Sequence, residues 1–470
     1  MQKFHSELTR REFLTRASAA TAAGALARND SLLAQAATLA AGTPRPKVAA
    51  IFTEFRFRSH AFNFLENFLA PCLFRGKLVD PGVDVVSMYA DQFPDNDMAR
   101  EVSRRFHIPL FESIDAALCL GGRELAVDAV LSIVEHGEYP TNSRGQKMYP
   151  RKEFFDTAVA VMQRSRRFVP FFNDKHLSFR WDWAREMFCT ARRCEIPLMA
   201  GSSVPLAERR PAIDIPAGSV IEEAVAIHGG GVEVYDFHGL ELLQSFVESR
   251  HGGETGIACV EFLSGDDLWR AATRGRWSKE LADAAMAAEL GKPPDDYSTI
   301  AGDNQPATPH GILLTYRDGF RAAVLKVGQS SNRWNFAYRM PRGAENRATS
   351  IGAAGQSRDR GIFATALYNG PWGNRCLFKA LSHAVLRFFV SGREPYPIER
   401  TLLVSGALDA AMTARECGGP VRTRHLEFAY APIDFRELRE TGESWRVIDP
   451  GTPEPRGFLP DQTDSSNPSK

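Results

Sequence analysis

Ala126-Val127-Asp128-Ala129-Val130-Leu131-Ser132-Ile133-Val134 is the most strand-like run of the chain, and its reading decides the fold. It is almost continuously apolar, as a strand buried inside a sheet should be. Comparable runs lie at 47–52, 83–89, 107–111 and 168–172. Helical stretches separate them. The first covers residues 59–70, with Ser59 as cap and Ala61, Phe62, Phe64, Leu65 and Phe68 on one side. Others cover 98–106 after Asp97, 113–118, 154–163 and 181–194. This alternation predicts an α/β unit over 46–205: a Rossmann-like, doubly wound parallel sheet. In such a sheet ligands lie off the carboxyl ends of the strands. The polar loops at Glu135-His136-Gly137-Glu138-Tyr139-Pro140 and Asn173-Asp174-Lys175-His176 fall there.

The second half changes character. Residues 257–262, 311–316, 321–327 and 334–339 read as strands, and 220–227 suits a strand or a helix. Residues 377–390 and 399–417 read as long helices. An α+β unit with an open, mostly antiparallel sheet is expected over 206–445. The stretch 450–470, rich in Pro, Gly, Ser and Asp, is expected to be a disordered tail.

The N-terminus carries Thr9-Arg10-Arg11-Glu12-Phe13-Leu14, then an Ala-rich apolar run and Leu33-Ala34-Gln35-Ala36. This order of basic, apolar and small residues predicts a twin-arginine signal peptide over 1–36. It implies export in folded form to the periplasm, with the twin-arginine machinery as a partner. The chain holds 57 basic and 57 acidic side chains. The signal contains five of the basic and three of the acidic ones, so the remainder is close to neutral. No basic field exists for nucleic acid. No apolar run is long enough to span a membrane. Seven scattered cysteines do not form a disulfide framework.

In this layout the chain resembles the Gfo/Idh/MocA family (glucose–fructose oxidoreductase, inositol dehydrogenase). Residues 106–118, running from Phe106-His107-Ile108-Pro109 to Leu118, look like that family's Ile-Pro segment and the helix after it. Val127-Asp128-Ala129-Val130 looks like one of its strands. Asp174-Lys175-His176-Leu177 stands where the family places Glu-Lys-Pro-Leu. Gly230-Gly231 through Asp236, His238 and Glu241 is similar to its Asp…His…Asp segment. The resemblance implies an oxidoreductase acting on a sugar or polyol, with NAD(P) as cofactor, and a homo-oligomer. One departure concerns the cofactor. The family's Gly-x-Gly-x-x-Gly turn is replaced by Phe52-Thr53-Glu54-Phe55-Arg56-Phe57, which lacks glycine. Glycine lets backbone approach a pyrophosphate, so an ordinary dinucleotide pose is not expected.

The candidate catalytic residues are Lys175 to position a hydroxyl, His238 to move its proton, and Asp236, Glu241 and His176 beside them. Glu135, His136, Tyr139 and Arg209 are candidate substrate contacts. Thr53, Arg56 and Asp91 are candidate cofactor contacts. The acidic, basic and imidazole groups at 248–254 have no diagnostic zinc spacing, and no metal site is expected. Two other readings stay open: a cofactor-independent lyase, epimerase or hydrolase of carbohydrates, and a non-catalytic carbohydrate-binding protein.

Overall fold

The computed structural model describes residues 44–297, 300, 308–341 and 361–457. The expected signal peptide, 1–36, lies outside the described residues. The chain enters on β1 (Lys47–Phe52), followed by α1 (His60–Leu69) and a hairpin of β2 (Cys72–Phe74) and β3 (Lys77–Val79). Then come β4 (Asp84–Ala90), α2 (Ala99–Phe106), β5 (Leu110–Phe111), α3 (Ile114–Cys119) and β6 (Ala129–Ile133). After these follow α4 (Arg151–Arg164), β7 (Phe171–Asp174), α5 (Trp181–Arg193) and β8 (Leu198–Gly201). The sheet order is β5-β4-β1-β6-β7-β8, all parallel. Strand order reverses between β1 and β6, which makes their carboxyl ends the switch crevice.

Local chemistry sets these elements. Ser59 caps α1 by accepting from the Phe62 amide at 3.2 Å, and Ser113 caps α3 the same way. Along β1, Val48, Ala50 and Phe52 face one core, while Ala49 and Ile51 face another. Both faces of the sheet are therefore covered.

The second sheet is built from β9 (Glu208–Arg210), β10 (Glu223–Gly229), β11 (Ile257–Ser264), β12 (His310–Tyr316), β13 (Arg321–Lys326), β14 (Ser330–Arg339), β15 (Ile362–Tyr368) and β16 (Val421–Arg422). Its order is β16-β11-β12-β13-β10-β14-β15-β9. Only the β10–β13 pair is parallel. The ambiguous run at 220–227 thus becomes the central strand β10. The sheet is open at both edges, but neither face is bare. Helix α6 (Val234–Val247) covers one face. Helices α7 (Asp266–Thr273) and α8 (Lys279–Leu290) cover the other, where Trp277, Leu281 and Met286 pack on Val225, Ile227 and Leu325.

Helices α9 (Asn374–Ser391) and α10 (Ile398–Cys417) tie the halves together. Phe378, Leu381 and Val385 of α9 join the first core, and Leu403, Ala407 and Leu408 of α10 join the second. Of the stretch expected as a tail, residues 450–457 make contacts with both halves: Trp372 Nε1 donates to Thr452 O at 3.0 Å, Arg375 pairs with Glu454 at 3.2 Å, and Arg58 pairs with the same Glu454. Residues 458–470 lie outside the described ones. Three cysteines, Cys72, Cys119 and Cys376, are buried, and all seven are free thiols. No described helix is long and apolar enough to cross a membrane.

A buried ion pair joins α10 to the end of α6. Arg400 donates to Glu248 at 2.9 and 2.5 Å, and both side chains are 1% exposed. Removing one partner strands the other charge away from water. Arg400→Ala should lower the unfolding free energy by about 3–5 kcal/mol, read by urea denaturation.

Candidate active site

Strands β1, β6 and β7 end side by side. Just beyond them His136 and Lys175 take left-handed backbone conformations, φ 71° and 66°, without being glycine. Glu233, which opens α6 from the second half, does the same at φ 68°. Such conformations persist only where surrounding contacts hold them, and they concentrate at functional positions. For Lys175 one such contact is its carbonyl, which accepts from the Gly201 amide at 3.0 Å.

A cavity of about 120 Å³ opens at this edge. Glu135, His136 and Lys175 line it from the first sheet, His60 from α1, His238 and Tyr235 from α6, and Trp334 from β14. Its centre is a buried charge triad. Glu135 accepts from Lys175 Nζ at 2.8 Å and from Arg151 Nη2 at 2.5 Å. Burial works to raise the Glu135 carboxyl, but Lys175 and Arg151 hold it well below the usual carboxylate range. It is therefore ionised and serves as an acceptor.

The imidazoles are of a different kind. Burial, then the Lys175 charge, holds His238 well below the ordinary histidine value. Burial is the largest cause that brings His136 down to about 3. Both rings are therefore neutral at neutral pH. His238 Nδ1 lies 2.6 Å from Ser202 Oγ. His60 Nδ1 lies 2.6 Å from Asp174 Oδ2, and Asp174 is 1% exposed. A buried carboxylate at that distance fixes the proton on Nδ1 and leaves Nε2 as the basic nitrogen. The indole N–H of Trp334 is buried and has no hydrogen-bond partner, so a ligand oxygen can take it.

The expected site residues divide. Lys175, His238, Glu135 and His136 meet at the cavity. His176 lies behind it, 3.3 Å from Arg151 and 3.6 Å from Glu233. Glu241 accepts from Thr401 at 2.8 Å, and burial raises its carboxyl to about 7. It does not line the cavity. Tyr139 donates to Asp91 at 2.5 Å, and Tyr89 donates to the same carboxylate at 2.8 Å; neither Tyr139 nor Asp91 lines the cavity. Arg209 is a structural cation: it pairs with Asp214, and its guanidinium sits 3.7 Å from the Phe246 ring centre. Asp236 turns into the second half, accepting at one oxygen from His228 (2.9 Å) and His310 (2.7 Å). These three are donors that could hold a metal ion. As placed, they form a hydrogen-bonded knot. The Gly230 amide occupies His228 Nδ1 at 3.3 Å, which keeps the proton on Nε2, and the buried Lys326 lies close enough to Asp236 to interact with its charge.

Thr53 and Arg56 belong to the turn after β1. Thr53 is fully buried and donates to the Glu135 carbonyl at 2.7 Å. Phe55 is fully buried in the first core. Arg56 pairs with Glu54 at 2.6 Å, and Arg58 pairs with Glu454. Ser59 Oγ takes the Arg56 and Phe62 amides, each at 3.2 Å.

No family model and no curated protein matches this chain. Solved structures do match it. GenD2 from gentamicin A biosynthesis, in complex with NAD, is 14% identical and aligns over 81% of this chain and 97% of its own, with a TM-score of 0.48. A probable dehydrogenase from Thermotoga maritima is 11% identical over 81% of this chain and 99% of its own, with a TM-score of 0.45. The scyllo-inositol dehydrogenase from Lactobacillus casei with NAD(H) and scyllo-inositol is 10% identical, again over 81% and 99%, with a TM-score of 0.45. The architecture of the chain stands on the strand orders given above.

His60, Asp174, Ser202, Tyr235 and Trp334 were not among the sequence-derived candidates. His60 and Asp174 had a usable signal, since both sit at carboxyl ends of strands or the helix start after them. Trp334 had none, because a distant strand delivers it.

The buried neutral histidines set a pH dependence. His136 takes a proton near 6.5 when unfolded and only near 3 when folded. Its contribution is therefore fully present above about 6.5 and is lost as pH falls toward 3. His136→Asn should flatten the fall in stability between pH 6 and 4 by up to about 1.4 kcal/mol per pH unit, read by denaturation at each pH.

Proposed function

We propose that this chain is an acid–base enzyme acting on a small, sugar-like polyhydroxylated molecule, built on the scaffold of the sugar and polyol oxidoreductases. One observation carries the reading: the His60–Asp174 dyad and the neutral His238 share one cavity with the Lys175 ammonium. The reaction class is proton abstraction from a carbon beside a carbonyl or carboxyl. His60 Nε2 takes the proton, and the electron pair moves onto the substrate oxygen. Lys175, held in place by Glu135, donates a hydrogen bond to that oxygen and stabilises its developing charge. The protonated His60 then gives that proton to a hydroxyl on the neighbouring carbon, which leaves as water as the electron pair returns to form the carbon–carbon double bond; this completes an elimination and restores the neutral base. Trp334 Nε1 donates to a substrate hydroxyl.

NAD(P) in the ordinary Rossmann pose does not fit the residues present. A pyrophosphate needs an open glycine turn and free amides at the next helix. Here Thr53 and Phe55 fill the turn, and Ser59 takes the Phe62 amide at the start of α1. Carboxylates neutralise Arg56 and Arg58. No step is therefore routed through a dinucleotide. A second reading, NAD(P)-dependent oxidation of the same substrate class, is favoured by the strand order and by Lys175 at the switch crevice. The twin-arginine motif at Arg10-Arg11 supports a periplasmic location, which fractionation of an Arg10→Lys/Arg11→Lys variant checks by its retention in the cytoplasm.

The test incubates mature protein with aldonic, uronic and keto sugars in deuterium oxide, without nicotinamide, and follows exchange at carbon by NMR. The expected result is exchange that falls about 10²–10⁴-fold in His60→Ala and Lys175→Ala. Stoichiometric NADH binding together with nicotinamide-dependent turnover would overturn this reading in favour of the second.

A further inference from the structure

The acid–base cavity holds two imidazoles whose partners give them opposite tautomers. At His60 the partner is the Asp174 carboxylate, which only accepts, so the ring proton sits on Nδ1. At His238 the partner is the Ser202 hydroxyl, 2.6 Å from Nδ1. Ser202 is 2% exposed, and its oxygen already accepts from the Val204 amide at 3.0 Å. The hydroxyl proton needs an acceptor of its own, because a buried donor left unpaired is costly, and Nδ1 is the acceptor within reach. The lone pair of His238 is therefore on Nδ1 and its proton on Nε2. His238 faces the cavity as an N–H donor, while His60 faces it as a base.

The rest of the wall has the same polarity. An ammonium carries three N–H bonds, and Lys175 spends one of them on Glu135 at 2.8 Å. Helix α9 begins at the cavity, where Asn374, Leu377 and Phe378 line it. No side chain caps that end and its first turn holds no acid, so the positive end of the helix dipole is left for a ligand. An independent group points the same way: the Trp334 indole N–H is buried in the wall without a partner. Among the described residues that line the cavity, Glu135 carries the one carboxylate, and Lys175 and Arg151 occupy both of its oxygens. Asp174 is spent on His60. Tyr235, Ser203 and Asn374 can both donate and accept, which suits hydroxyls.

We infer that the molecule this cavity takes is a sugar acid, held by a carboxylate with one oxygen on the Lys175 ammonium and the other on the His238 Nε2–H, at the start of α9. The inference deepens the acid–base reading of the same cavity and rests on that reading for the sugar-like part of the ligand. Trp334, Tyr235 and Asn374 then meet the hydroxyls. Donors on both carboxylate oxygens also ease the step that His60 begins, since the electron pair leaving the C–H bond moves onto those oxygens.

Isothermal titration calorimetry of the full mature protein tests it with D-glucuronate and D-gluconate, against D-glucose, D-glucitol and D-glucose 6-phosphate. At least one acid should bind about tenfold tighter than its neutral counterpart, the effect of one charge-assisted contact. His238→Ala should weaken that acid by about the same factor, whereas His238→Gln, which keeps an N–H there, should retain most of the binding. Thermal melting of each variant checks that the fold is kept. Nitrogen-15 NMR of histidine-labelled protein should place the His238 proton on Nε2, with the signal assigned by its loss in His238→Gln. Equal binding of acids and neutral sugars, no binding of either acid, tighter binding of the phosphate ester, or a proton on Nδ1 each overturns the inference. The reaction fails separately: an acid that binds without exchange at carbon leaves the carboxylate site standing, while exchange with neutral keto sugars alone removes that site and keeps the reaction.

Discussion

The site depends on one interaction, the contact of Lys175 and Arg151 with Glu135 out of water. Three charges there are each about 5% exposed or less. Taking them from solvent is costly, and only mutual pairing and good geometry offset the cost. That geometry demands that the ends of β6 and β7 and the start of α4 come to one place. It also holds the left-handed backbone at His136 and Lys175, which such residues do not adopt freely. Charge and strain thus sustain each other: neither Lys175 nor Glu135 can move without leaving a partner buried and unpaired.

The second half completes the cavity. Helix α6 begins where Glu233 and Asp236 cap each other, and this capping box aims Tyr235 and His238 toward the first sheet. Gly230 is needed beneath Tyr235, since a Cβ there would lie 1.9 Å from the ring. Tyr235 in turn stacks on Trp334, with ring centres 5.4 Å apart and planes 3° from parallel. A helix, a tight turn and a strand of the second sheet together bring His238 to within reach of Lys175's field. Burial by these neighbours keeps the imidazole neutral.

Much of the fold was legible locally. Apolar runs became β1, β4 and β6 within a few residues, and Ser59, Asp97 and Ser113 mark helix starts as their side chains suggest. The site was legible where candidates sit at strand ends, as with Glu135, His136 and Lys175. It was less so on α6, where Asp236, His238 and Glu241 lie within six residues of one another. A helix turns such neighbours to different sides: His238 to the cavity, Asp236 to the His228–His310 knot, Glu241 to Thr401. Arg209, in the run Arg209-Arg210-Pro211 that reads as a clamp, is buried at the sheet edge on Phe246.

By itself, the sequence determined the parallel first sheet, the capped helices, the near-neutral charge and the glycine-free turn after β1, because periodicity, capping and residue type act over a few neighbours. Only the tertiary structure decided that Lys175 pairs with Glu135 and that Asp174 instead orients His60. It alone brought Trp334 into the cavity from a strand some 160 residues further on. Pairing across such separations is set by which strand ends and helix faces meet, and nothing within a short stretch of chain encodes that meeting.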